Sequence, residues 1–139
     1  MTRGLKVNNP GNIRISPANY VGEITPSADP AFSQFETIAY GYRAMFQVLR
    51  HYISNGLNTI QKIINTYAPP SENDTNAYIN SVTKRTGISA TAILDSADFT
   101  TLGKIVYAMA YVEQGVAPNQ KDIDAAIAML EGEKKKLKH

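Results

Sequence analysis

Leu102-Gly103-Lys104-Ile105-Val106-Tyr107-Ala108-Met109-Ala110-Tyr111-Val112-Glu113-Gln114-Gly115 has the period of an amphipathic helix. Leu102, Ile105, Val106, Met109 and Ala110 fall on one stripe, and the next position along it is Glu113. Gly115 supplies the left-handed residue at which such a helix ends.

The same period recurs on both sides. From Thr37, the positions of Ala44, Met45, Val48, Leu49 and Tyr52 predict a helix that ends near Asn55-Gly56. A short second helix, capped by Asn58, carries Ile60, Ile63, Ile64 and Tyr67 on one face. Ala68-Pro69-Pro70 closes it, because a proline cannot continue a helix. Ser71 is placed to cap a third helix and Asp74 to favour its positive end, with Tyr78, Ile79 and Val82 inward and a stop before Gly87. A brief helix from Ser89 to Leu94 is expected next. A last one, roughly Gln120 to Glu131, turns Ile123, Ala126, Ile127 and Leu130 inward. From Arg3 to about Phe35 the chain is rich in Asn, Pro, Gly and Ser, which predicts loops with a small β-hairpin. The fold class is therefore mainly α: one helical domain over residues 1–131 and a basic tail over 132–139.

With 139 residues and 43% hydrophobic content, the chain can bury one core. No apolar run is long enough to span a bilayer, and Met1-Thr2-Arg3-Gly4-Leu5-Lys6 is no signal core. Synthesis in the cytoplasm without a signal peptide, and no membrane insertion, are the expectations. Cysteine is absent and only two histidines are available, so neither a metal site nor any other cofactor is expected. Residues 1–130 carry ten Lys/Arg against ten Asp/Glu, which leaves the net charge of +2 to the tail. The basic residues are scattered, so a nucleic-acid partner is not expected either. Lys134 to His139 reads as a solvated helix end.

A catalytic carboxylic acid must hold its proton near neutral pH, which needs surroundings that disfavour the charged form. Of the twelve acidic residues, Asp29, Asp95 and Asp98 sit in turn-like contexts and Asp74 suits a helix start. Asp122, Asp124, Glu131 and Glu133 lie on or beside a solvated face. Glu113, on an apolar stripe at a negative helix end, is the best candidate acid, with Glu23, Glu36 and Glu72 for secondary roles. Periodicity alone fits a Glu113 that rims the core and turns to solvent at least as well. Asn8-Asn9-Pro10-Gly11-Asn12 suits a turn, and equally the recognition of acetamido sugars by side-chain amides. Tyr20, Tyr40, Tyr42 and Tyr67 suit either sugar stacking or the core. Arg43 and Arg50 suit peptide or lactyl carboxylates, or simply a solvated surface.

Arg3-Gly4-Leu5, Asn8 to Arg14, Gly22, Phe32 to Phe35, Tyr40 to Ala44, Tyr67-Ala68-Pro69-Pro70-Ser71-Glu72-Asn73-Asp74-Thr75, and Glu113 before Gly115 occur in this order. Together they resemble a phage and prophage family often labelled a virion or structural protein. A weaker resemblance concerns chemistry. Ile105 to Gly115 is similar to the catalytic helix of lytic transglycosylases and flagellar-type glucosaminidases, and Asn9 to Arg14 to a segment that follows it there. The order is reversed here, which a circularly permuted lysozyme-like domain would explain. Gln114 stands where those helices carry Ser, Val112 where His is frequent, Tyr20 where Trp is expected, and Val7 replaces a third Asn.

This resemblance implies a muramidase or lytic transglycosylase acting on the peptidoglycan glycan strand, with Glu113 as general acid. Asn9, Asn12, Arg14, Tyr20, Glu36, Tyr40, Tyr67, Glu72 and Asn73 would bind the sugars. Glu36 or Glu72 would supply any second carboxylate. Without one, a substrate-assisted or transglycosylase route is implied. Action at the wall would follow holin-type release or incorporation into a virion with other virion proteins. The alternative is a non-catalytic virion or wall-binding module that keeps a lysozyme-like groove.

Overall fold

The computed structural model describes residues 1–137. In it the apolar stripe is fully covered, with Leu102, Ile105, Val106, Met109 and Ala110 all buried. Its helix is the fifth of six among the described residues: α1 (Arg3–Lys6), α2 (Ile38–Ser54), α3 (Ile60–Tyr67), α4 (Thr75–Thr86), α5 (Phe99–Gln114) and α6 (Gln120–Leu137). Between α1 and α2, the strands β1 (Glu23–Ile24) and β2 (Gln34–Phe35) pair antiparallel, Glu23 opposite Phe35 and Ile24 opposite Gln34. Helix α5 packs against α2, α4 and α6, α2 packs along α6, and α3 leans on α4. Phe46 of α2 meets Phe99 of α5 edge to face at 6.2 Å, inside that shared core. The mainly α reading with a small N-terminal hairpin holds. No helix among the described residues is long and apolar enough to cross a membrane.

Several local expectations are corrected. Residues 3–6, read as loop, form a helical turn capped by Thr2, whose hydroxyl accepts from Leu5 N at 3.4 Å. Thr59 rather than Asn58 caps α3, its hydroxyl accepting from Lys62 N at 3.2 Å. Asp74 rather than Ser71 caps α4, accepting from Ala77 N. No helix forms over Ser89–Leu94. The Thr86 and Ser89 hydroxyls take up local backbone N–H groups, and Leu94 N bonds back to Asn58 O. Such contacts compete with helical pairing.

Helix α6 runs past Glu131 to Leu137, because Glu and Lys are good helix formers even after the apolar stripe has ended. Solvation of the lysine tail concerns side chains outside the described residues. Arg43, offered as a surface or ligand-binding group, is instead buried and pairs with Glu133 of α6 at 2.5 Å.

Candidate active site

The N-terminal segment is a tight knot built on one asparagine. Asn9 is fully buried, its amide donating to Ile13 O at 2.9 Å and Ser33 O at 2.8 Å while its Oδ1 accepts from Ile13 N at 2.9 Å. Both donor hydrogens are used within the chain, so Asn9 shapes the turn and is not free to meet a sugar. The positive φ values of Asn8 (56°) and Asn12 (51°) are of the kind that asparagine tolerates among non-glycine residues. Gly11 is needed for space. A Cβ there would lie 2.7 Å from the Tyr67 hydroxyl and 2.8 Å from Met45 Cγ, and the same hydroxyl donates to Gly11 O.

This knot carries Asn12 against the last turn of α5, where Glu113 sits half-buried. The Asn12 amide donates to Glu113 Oε1 at 2.9 Å, and the Tyr78 hydroxyl of α4 donates to Oε2 at 2.9 Å. Gln114, buried beside it, staples the helix end to the knot. Its amide donates to Pro10 O at 2.8 Å and Asn12 Oδ1 at 3.0 Å, while its Oε1 accepts from the Thr2 hydroxyl. Burial pushes the Glu113 carboxyl above its ordinary range. The bonds from Asn12 and Tyr78 and the charge of Arg14 oppose that shift without cancelling it. Burial, reinforced by the nearby Glu113 charge, holds the Tyr67 and Tyr78 phenols well above theirs, so both stay protonated donors.

Glu113 opens onto a cleft of about 520 Å³. Of the residues expected to bind sugar, Asn12, Arg14, Tyr20, Tyr67, Glu72 and Asn73 line the same cleft. Glu36 and Tyr40 do not. Glu36 is exposed beyond the end of β2, and Tyr40 packs where a Cβ on Gly22 would otherwise stand, in a separate hollow shared with Arg43 and Glu133. Sequence reasoning missed three groups of α2, Gln47, His51 and Tyr52, which form the wall's helical part. The signal was present, since Gln47 and His51 are one turn apart and border the stripe of Val48 and Tyr52. Tyr78 carried no such mark, having read as a plain core residue of α4. Among the described residues, no three His, Asp or Glu side chains gather as a metal site would require.

No protein-family model matches the chain. It is, however, 39% identical over 124 residues to protein P5 of Pseudoalteromonas phage PM2, spanning 86% of this chain and 76% of the relative. The chain belongs to the P5 family. Kinship with a phage protein agrees with the phage character of the N-terminal and Ala-Pro-Pro motifs. The name P5 states no chemistry.

Proposed function

We propose that this member of the P5 family cleaves the glycan strand of peptidoglycan with Glu113 as general acid. The observation that carries the reading is a carboxyl group with an upshifted pKa, open to a sugar-sized cleft and held by donors from two separate elements. A carboxylate has about four lone-pair positions, and Asn12 and Tyr78 occupy only two. A remaining position can carry the proton that passes to the glycosidic oxygen as the C–O bond breaks.

With Glu36 outside the cleft and Glu72 exposed, Glu113 is the one half-buried carboxyl group lining the cleft among the described residues. That favours capture of the sugar cation by the substrate's own acetamido oxygen over a protein nucleophile. Glu113, now a carboxylate, then takes the proton from the attacking water or sugar hydroxyl. Tyr20 and Tyr67 line the cleft, where they can pack against the pyranose units. The contact between Asn12 and Glu113, 101 positions apart, also supports a permuted lysozyme-like arrangement, which requires the two reversed segments to meet. Phage kinship supports action at the wall, from a virion or after holin-type release.

A second reading, a wall-binding module without turnover, is favoured by one feature: both Glu113 oxygens already hold donors, as a purely structural carboxylate would. Muropeptide release from purified peptidoglycan decides between them. Glu113→Gln should fold, pellet with the wall and release at least about a hundredfold less than the parent protein. A parent protein that pellets with the wall but releases nothing across a range of pH leaves the binding module as the account.

A further inference from the structure

Four of the five arginines are engaged within the chain. Arg3 pairs with Asp29 at 2.6 Å and Arg43 with Glu133. Arg50 donates to Gln47 at 3.1 Å and stands over the Phe99 ring, and Arg85 stands 3.7 Å from the centre of the Tyr111 ring. Arg14 alone has no hydrogen-bonding, ion-pair or aromatic partner for its guanidinium among the described residues. It is also the one arginine that lines the cleft.

Its backbone is nevertheless pinned. Arg14 bridges Phe32, with Ile15 N bonded to Ala31 O at 2.9 Å and Ser33 N to Ile13 O at 2.9 Å. Ile13 is buried in the core and Arg14, the next residue, is exposed. The result is a free guanidinium on a fixed base, in the same cleft as Glu113.

We infer that Arg14 is the carboxylate-recognising residue of this cleft, selecting glycan strands that bear acidic substituents over neutral N-acetylglucosamine polymers. The inference rests on the reading of the cleft as a site for wall glycan. A guanidinium presents a planar fork that matches a carboxylate with two parallel hydrogen bonds. Wall glycan offers two sources of that anion, the lactyl group of N-acetylmuramic acid where no peptide is attached and the carboxylates of the stem peptide where one is. An unpaired cation near the catalytic acid also favours the wrong, ionised form of Glu113. A bound substrate carboxylate removes that opposition at the moment the proton is needed, so recognition and protonation reinforce one another.

The test measures binding to the Glu113→Gln protein, which holds strands without cutting them. Three probes are compared: strands stripped of peptide, with free lactyl carboxylates; the same strands with those groups converted to methyl amides; and peptide-bearing strands. At least one acidic strand should bind about tenfold more tightly than the amidated one, and added salt should erode the difference. Preference for the stripped strand assigns the lactyl group, and preference for the peptide-bearing strand assigns the peptide.

Adding Arg14→Gln should abolish the preference, and Arg14→Lys should keep part of it. Equal binding of acidic and amidated strands, a preference that survives Arg14→Gln, or no binding of any strand overturns the inference. Muropeptide release by the parent protein separates this result from the proposed activity. Intact preference without release removes only the cleavage reading, and release without preference removes only the role of Arg14.

Discussion

Gly4→Ala should destabilise the protein by about 2 kcal/mol, although helix propensity argues the other way. Gly4 lies inside α1, where alanine is intrinsically favoured over glycine by about 1 kcal/mol. The added Cβ, however, would stand 2.1 Å from Asn12 Oδ1, 2.6 Å from Asn9 O and 2.7 Å from Gln114 Nε2. Asn9 O is backbone, fixed by a side chain with three hydrogen bonds of its own, so the knot or α1 must move as a whole. Forcing an extra carbon into such a site costs about 1–3 kcal/mol. The Gln114 bonds to Asn12 and Asn9 stretch with it, at about 0.5–1.5 kcal/mol each.

The steric and hydrogen-bond terms exceed the propensity gain, and a fall of roughly 6 °C in Tm follows for a domain of this size. Urea and thermal unfolding followed by far-UV circular dichroism measure it. Gly132→Ala is the control, since nothing lies within 4 Å of a Cβ at that position of α6, and it should stabilise by up to about 1 kcal/mol. A Gly4→Ala protein as stable as its parent would refute the claim that this close approach locks the knot to α5.

Two further outcomes follow from the surroundings of Glu113. Tyr78→Phe removes a donor that favours the carboxylate, so the Glu113 pKa should rise further and, under the proposed mechanism, the alkaline limb of the pH–rate profile should move to higher pH; an unmoved limb contradicts that role for the contact. Glu113→Gln should also change stability with pH. A carboxyl whose folded pKa lies above its unfolded value, about 4.3, gives stability that is complete below that value and lost as pH rises through the folded pKa. Relative to its parent, the Gln variant should therefore gain as pH rises above the unfolded carboxyl value, and a difference that does not change with pH in urea titrations contradicts it.

The helical frame was legible because it depends on local period and on the residues that stop a helix. The stripe from Leu102 to Ala110 is buried as its spacing requires, and Gly87 and Gly115 take the left-handed conformation at the two helix ends that they mark. Errors arose where several residues compete for one local role, as with Asn58 and Thr59 or Ser71 and Asp74 at the caps. They arose again where hydroxyls divert the backbone, as at Thr86 and Ser89. The stripe marked Glu113 as the candidate acid but left open whether it turns to solvent, and its partners Asn12 and Tyr78 were not legible at all. Asn9 and Asn12 are the same residue type three positions apart, and one is buried in the knot while the other faces the acid. Nothing in composition or spacing distinguishes them, because the difference lies in Ser33 and Gln114, far away along the chain.

Hydrogen-bond polarity explains why that distant connection matters to the acid. The Gln114 amide group donates to Pro10 O, which cannot donate in return, and its Oε1 accepts from Thr2, so its orientation is fixed. Gln114 then presents N–H to Asn12 Oδ1, and a flipped Asn12 would set two NH2 groups face to face. Asn12 must therefore turn its own NH2 toward Glu113 Oε1, where it can only donate.

Tyr78 is not constrained in this way, because its hydroxyl also reaches Met109 O at 3.4 Å and can rotate to accept from a protonated Glu113. The two oxygens of the acid are thus unequal. The oxygen beside Asn12 is held by a permanent donor, and the oxygen beside Tyr78 has a neighbour that accommodates either protonation state. The residues that impose this asymmetry begin at Thr2, so the N-terminal segment fixes the hydrogen bonding of a carboxyl group near the other end of the chain.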